Sequence, residues 1–196
     1  WNQEESQYDQ YSGEYSDENG DYTVGGLPAG KYIMEFGSWN DKFITQWWTG
    51  TDGGAPDQDG AKPITLTTGQ QTTGINAKLQ TGATITGKVT DSNGNPVEHI
   101  DIEVYRWNED EEDPWYNYYL GGYSDENGDY TVGGLPAGKY IIEFNDWNDE
   151  FVGQWWTGTD GGTPDRDGAK PITLTTGQET TGINAKLQTG ATITGK

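Results

Sequence analysis

Oxygen ligands at alternate positions around a tight turn are the most explicit chemistry in this sequence. The segment SDENGD occurs twice, setting Asp125, Asn127 and Asp129, and likewise Asp17, Asn19 and Asp21, at i, i+2 and i+4. That spacing suits a hard cation with many oxygen ligands, and Ca2+ is the cofactor it leads us to expect. The match to the EF-hand loop is partial, because glycine holds the fourth position and no distal glutamate is fixed. The same D-x-x-G letters also make an ordinary hairpin turn. From residues alone, both readings stand.

Catalytic chemistry finds less material. The single histidine, His99, sits in PVEHID beside a proline turn, where we expect it to be exposed. There is no cysteine, and no serine is flanked like a nucleophile elbow. Paired carboxylates are many, but glycoside chemistry needs a cleft that separates their pKa values. The expectation is that the chain is not an enzyme.

The charge balance narrows the partners. Lys+Arg total 11 against Asp+Glu 32, a net charge of −21. Nucleic-acid binding needs a basic face to replace phosphate counterions, so it is excluded, as is docking on anionic membranes. No apolar run reaches membrane-spanning length, so no membrane insertion is expected. Divalent cations and basic partners remain. The lack of cysteine rules out disulfides without fixing a compartment.

Leu, Ile, Val and Phe number only 29 of 196, a composition that with this charge often means disorder. The 21 Trp and Tyr residues argue against it, since each buries a large area. The doublet in QWWTG appears at 46–50 and 154–158. Strand parity places Phe43 and Trp47, and Phe151 and Trp155, inward, and turns Trp48 and Trp156 outward. The outward pair then covers another protein surface or stacks on sugar, so polysaccharide is a candidate partner. A second aromatic set, Trp115, Tyr116, Tyr118 and Tyr119 in DPWYNYYLGG, reads as a long loop with a contact surface.

These residues are carried by a repeat. Residues 15–88 recur at 123–196, an offset of 108, with nine differences in 74 positions. A unit of that size is a domain and not a solenoid turn. Short alternating runs (DYTV, KYIIEF, KPITLTT, INAKLQ, ATITGKV) lie between turn clusters (DSNGNP, SDENGD, GLPAG, TDGGTPDRDG), and no stretch keeps a helical period. The fold class is all-β: tandem immunoglobulin-like β-sandwich domains. We expect an incomplete repeat lacking its first strand at 1–80, a complete one at 81–188, and the first strand of a following repeat at 189–196.

The strings ITGKVTDSNGNPVEHIDIEVY and YSDENGDYTVGGLPAGKYIIEF resemble the carboxypeptidase regulatory-like domains of bacterial surface proteins. The shared pattern is G-x-V-x-D-x-x-G-x-P, then D-x-x-G-x-Y and L-P-x-G-x-Y. The chain is also similar to the B-type domains of Gram-positive adhesins. The resemblance implies a prealbumin/transthyretin-like sandwich that acts as a stalk or spacer outside the cell. Some adhesin relatives carry a Lys–Asn isopeptide bond promoted by a buried acid. Lys88, Asn184 and Glu143 loosely match that trio, but strand parity turns Glu143 to the other sheet face, so exposed polar positions are expected instead.

If connections alternate between the two ends of an antiparallel sandwich, the acids gather. Asp17, Asp21 and Asp41 of one repeat would face Asp110, Asp113, Asp160, Asp165 and Asp167 of the next. Their repulsion would be relieved by Ca2+, which would stiffen the array. Thr192, Ile193 and Thr194 repeat the opening strand, so one chain's tail could complete another's sandwich by strand addition. The functional expectation is a structural repeat of an extracellular, cell-surface stalk, adhesin or filament, partnered by neighbouring copies. The alternative is a carbohydrate-binding module using exposed Trp and Tyr.

Overall fold

A computed structural model of the chain describes residues 12–38, 41–108 and 115–195. They fall into two compact units, 1–37 with 45–79, and 38–44 with 80–196. Among the described residues no helix is long and apolar enough to cross a membrane.

The first unit has four short strands: β1 (Gly30–Tyr32), β2 (Glu35–Phe36), β3 (Gln46–Trp47) and β4 (Ile64–Leu66). β1 pairs with β4 and β2 with β3, both antiparallel. Residues 21–27 belong to no strand here, although their repeat at 129–135 is a strand in the second unit, paired at 129–132 and 135.

The second unit is a two-sheet sandwich. Its strands are β5 (Ala83–Thr90), β6 (Asp101–Asn108), β7 (Trp115–Tyr123), β8 (Asp129–Leu135), β9 (Gly138–Asn145), β10 (Gln154–Trp155), β11 (Ile172–Leu174), β12 (Glu179–Thr180) and β13 (Ala185–Lys186). One sheet centres on β5, with antiparallel β8 on one edge and β12 and β13 on the other. The other runs β7–β6–β9, with β10 and β11 on the far edge of β9.

Alternation along each strand explains the packing. Ala83, Ile85 and Val89 of β5 face Ile102 and Val104 of β6 and Ile142 and Phe144 of β9 in one buried cluster. Tyr130 and Tyr140 enlarge it, the rings of Tyr130 and Phe144 meeting edge-on with centroids 5.8 Å apart. Each buried phenol has a main-chain acceptor: Tyr130 donates to Ile183 O at 2.5 Å and Tyr140 to Pro136 O at 2.8 Å. The first unit repeats both bonds, from Tyr22 to Ile75 O and from Tyr32 to Pro28 O. The motif tyrosines of D-x-x-G-x-Y and L-P-x-G-x-Y therefore fasten strands to turns.

Two expectations are corrected. The closing strand β13 runs parallel to β5, so the sandwich is not wholly antiparallel. The stretch Trp115–Tyr123 is strand β7, not a loop, because its dense aromatics favour a pleated edge beside β6.

Gly87 sets the spacing of the β5 sheet. A Cβ there would lie 2.0 Å from Ile183 O and 2.8 Å from the Tyr130 ring. Its absence lets the ring, opposite in register, cross the strand to its acceptor. Gly87→Ala should therefore destabilise the second unit more than Tyr130→Phe, which leaves a buried carbonyl unpaired at roughly 1–3 kcal/mol. Urea unfolding of the two variants beside the parent chain measures the order.

Candidate functional site

The acidic turns have an internal use. Asp125 Oδ1 accepts from the main-chain N–H of Asn127 at 2.8 Å and of Asp129 at 2.9 Å. Asp17 does the same for Asn19 and Asp21 at the same two distances, as does Asp91 for Asn93 and Asn95, at 2.8 Å each. The main-chain bonds, that of Asp21 first, hold the Asp17 carboxyl below its usual range, while Asp91 is held down first by the side-chain amide of Asn95, which donates to Oδ2 at 2.9 Å, and then by the Asn95 main-chain N–H. The i, i+2, i+4 spacing is thus the spacing of a side-chain-closed turn. Asp129 pairs with Lys88 Nζ at 2.9 Å.

Asp160 O accepts from Lys186 N, next to the end of β5 opposite Ala83, so Asp160 lies away from the end where Thr81 enters. Asp165 caps a 3₁₀ turn, Arg166–Gly168, that contains Asp167, and Asp165 Oδ1 accepts from Asp167 N at 3.1 Å. Asp110 and Asp113 lie outside the described residues. Among the described residues, no three carboxylate, imidazole or thiol groups converge as a metal cluster. His99 is exposed, with a φ of 62°. Lys88 Nζ is engaged by Asp129 and by Asn127 O, while Asn184 Oδ1 accepts from Lys88 N at 3.0 Å.

The tryptophan doublet is reversed from its sequence parity. Trp156 packs against the core, with its buried indole N–H unpartnered, and the indole N–H of Trp48 in the first unit is likewise buried and unpartnered. Trp155 pairs in register with Glu143 and shares its outer face. It is nevertheless only 7% exposed, because Arg166 lies 5.4 Å over it and Tyr105 stands 5.1 Å away. Parity fails because Phe151 bridges to Thr189 whereas Trp155 pairs with β9, so the alternation is broken between them. Trp115, Tyr116 and Tyr118 are placed by main-chain register opposite Asn108, Trp107 and Tyr105, their side chains lying outside those described. Tyr119 packs against the core beside Tyr140. Thr192, Ile193 and Thr194 belong to no strand, and Ile193 is 98% exposed.

The outer face of the β6–β9 sheet holds a group of acids that sequence reading missed. Glu103 and Glu143 stand opposite in register, and Tyr105 donates to Glu103 Oε2 at 2.6 Å while lying 3.1 Å from Glu143 Oε2. One phenol has one proton, so both contacts are satisfied when Glu143 is protonated and donates back. Burial pushes the Glu143 carboxyl up, the Tyr105 bond opposes this, and the charge of Glu103 adds to it. Asp101, nearby on β6, is also pushed up by burial, against the pull of a 3.0 Å bond from Trp147 Nε1. Trp147 is 74% exposed, and Tyr123, opposite Asp101 in register, is 65% exposed. Two open aromatic rings thus flank a carboxylate. Their signal was available as alternation in IDIEVY against YLGGY, but it required the pairing of β6 with β7.

A family model described as carboxypeptidase regulatory-like domain matches residues 84–188. No curated protein is significantly similar in sequence. Among solved structures, the chain is similar to the Bacillus anthracis TIE protein, at 15% identity and a TM-score of 0.38, covering 89% of this chain and 28% of that one. It is similar to transthyretin from Sparus aurata, at 22% identity and 0.28, covering 46% and 72%. It is also similar to a streptococcal ancillary pilin, at 15% identity and 0.37, covering 83% and 46%. The chain therefore spans under a third of the TIE protein and under half of the pilin.

The acid pair yields a pH test. Glu143 binds its proton more tightly folded than unfolded, so its contribution lowers stability as pH rises from the ordinary carboxylate value through the raised folded one. Glu143→Gln removes that contribution and the like-charge contact. It should raise unfolding free energy at neutral pH by roughly 0.2–1 kcal/mol, with the advantage fading towards about pH 4. Denaturation of both proteins across this range gives the difference, in which the opposite contributions of Asp17 and Asp91 cancel.

Proposed function

The chain belongs to the carboxypeptidase regulatory-like domain family, and from that membership we propose a structural repeat of an extracellular bacterial stalk, adhesin or filament. One observation carries the reading. The polar residues of the family motif are engaged with main chain: Asp91 and Asp125 close turns, and Tyr130 and Tyr140 fasten strands. Side chains spent in this way build a spacer, and none of them is left to act on a substrate.

Copies of the chain are the proposed partners, through strand addition. Residues 191–195 repeat the start of β5 and lie unpaired, while 21–27, the repeat of β8, belong to no strand. In the second unit β5 pairs with β8 at 83 and 85–88, which is the pairing that addition of such a segment would reproduce. We extend the proposal to Ca2+ at the acidic turns of the array, on the carboxylate density of the sequence. Sedimentation over a concentration series tests both parts. The full chain should associate, and removal of Thr189–Lys196 should abolish this. Association should be tighter in millimolar calcium than in chelator, and equality would end the calcium part.

A second reading is favoured by Trp147 and Tyr123. The exposed rings of Trp147 and Tyr123, the first held by its bond to the buried Asp101, make a platform for a sugar ring. Titration with cell-surface polysaccharide should quench tryptophan fluorescence in the parent and lose most of that change in Trp147→Ala. An identical response in both would remove this reading.

A further inference from the structure

Asparagine followed by glycine is chemically fragile, because glycine has no Cβ to keep its amide nitrogen away from the asparagine side chain. The second unit carries two such pairs inside the same pattern, D-x-N-G, at 91–94 and 125–128. Locally they are closed alike. Asp91 Oδ1 and Asp125 Oδ1 each accept from the main-chain N–H groups two and four residues on. The glycine N–H, the group that would attack the asparagine, donates to the aspartate carbonyl, at 3.1 Å from Gly94 and 2.8 Å from Gly128.

The turns differ in what else holds them. Gly128 is buried: its carbonyl accepts from Val89 N at 2.8 Å, and a Cβ on it would lie 2.3 Å from Val89 O. Asn127 O accepts from Lys88 Nζ, which also pairs with Asp129 at 2.9 Å. Opening this turn therefore disturbs the β5–β8 ladder. Residues 92–96 are all exposed, and a Cβ on Gly94 would meet nothing within 4 Å. Asn93 is held by Asp91, through Oδ1 to its N–H and through Oδ2, at 3.5 Å, to its side-chain amide. The bonds that close residues 91–95 lie within the turn, so it can open with both sheets intact.

We propose that Asn93 is a site of spontaneous deamidation, restrained by Asp91, and that its place between β5 and β8 protects Asn127 from the same reaction. When the turn opens, the Gly94 amide nitrogen gives up its proton and attacks Asn93 Cγ. The new N–Cγ bond forms, the Cγ–Nδ2 bond breaks, and the amide group leaves as ammonia with the equivalent of that proton. Water then opens the cyclic imide at either carbonyl, leaving aspartate or isoaspartate at position 93. Each event replaces a neutral amide with a carboxylate close to Asp91, on a chain that already has 21 excess negative charges. Isoaspartate also adds a methylene to the main chain, so the turn cannot close again on its former bonds. The reaction needs no enzyme and proceeds with the age of the chain.

Peptide mapping by mass spectrometry, on the full chain held in warm, mildly alkaline buffer, tests this. Trypsin releases Asn93 in Val89–Arg106 and Asn127 in Trp107–Lys139. The first peptide should gain the mass of the amide-to-acid exchange and split into two isomers, roughly tenfold faster than the second changes. In urea the two rates should converge. Asp91→Ala should speed the change at Asn93 severalfold and leave Asn127 alone. Asn95→Ala, which removes one bond to Asp91 Oδ2, should act in the same direction and more mildly. Lys88→Ala should instead speed the change at Asn127. Equal rates at the two asparagines in the folded parent would overturn the proposal, as would an unchanged Asn93 over the time in which the urea-treated chain reacts. If neither Asp91→Ala nor Asn95→Ala, still folded by circular dichroism, reacts faster than the parent, Asp91 is not the restraint.

Discussion

The second unit depends on one strand being paired along both edges. β5 holds β8 on one side and the closing segments β12 and β13 on the other, and it sends Ala83, Ile85 and Val89 into the core. Its glycine lets Tyr130 reach across to Ile183, so the three chain segments are tied twice, by the ladder and by the phenol. In the first unit Tyr22 and Ile75 keep that bond, yet the flanking segments 21–27 belong to no strand. The phenol holds the frame, and the strand makes it a sheet.

The high acid content is partly a way of making turns without large side chains. An aspartate that accepts two main-chain N–H groups fixes a tight reversal and satisfies donors that would otherwise need water or another strand. Asp17, Asp91, Asp125 and Asp146 all do this. The sandwich thus gains defined loops from the same residues that give it its charge. The Glu103–Glu143 pair is a different case: two acids on one face, with Tyr105 between them, and a proton that is harder to lose from Glu143.

The fold class and the repeat were legible because they rest on local patterns: turn clusters at regular spacing, alternating runs, and an offset of 108. What could not be read depended on which strands pair. DPWYNYYLGG carries strand-favouring aromatics, but its opening Asp-Pro and closing Gly-Gly read as loop until β6 lies beside it. The orientation of the Trp doublet depended on Phe151 bridging to Thr189 while β10 joins β9. Asp125, Asn127 and Asp129 show how one spacing serves two chemistries, since carboxylate and amide oxygens at alternate positions can point at an ion or at their own N–H groups. Trp147 and Tyr123 were invisible as a pair because 24 positions separate them in sequence.

The repeats differ most where their pairing is made of main chain alone. Of the nine differences between them, five fall at Gly37/Asn145, Ser38/Asp146, Lys42/Glu150, Ile44/Val152 and Thr45/Gly153. One of these reverses a charge. All five lie in or near segments 42–44 and 150–152, whose hydrogen bonds to 80–82 and to 188–190 use only amides and carbonyls. Main-chain pairing of this kind leaves side chains free to vary, so each repeat can carry its own surface charge on an unchanged backbone path.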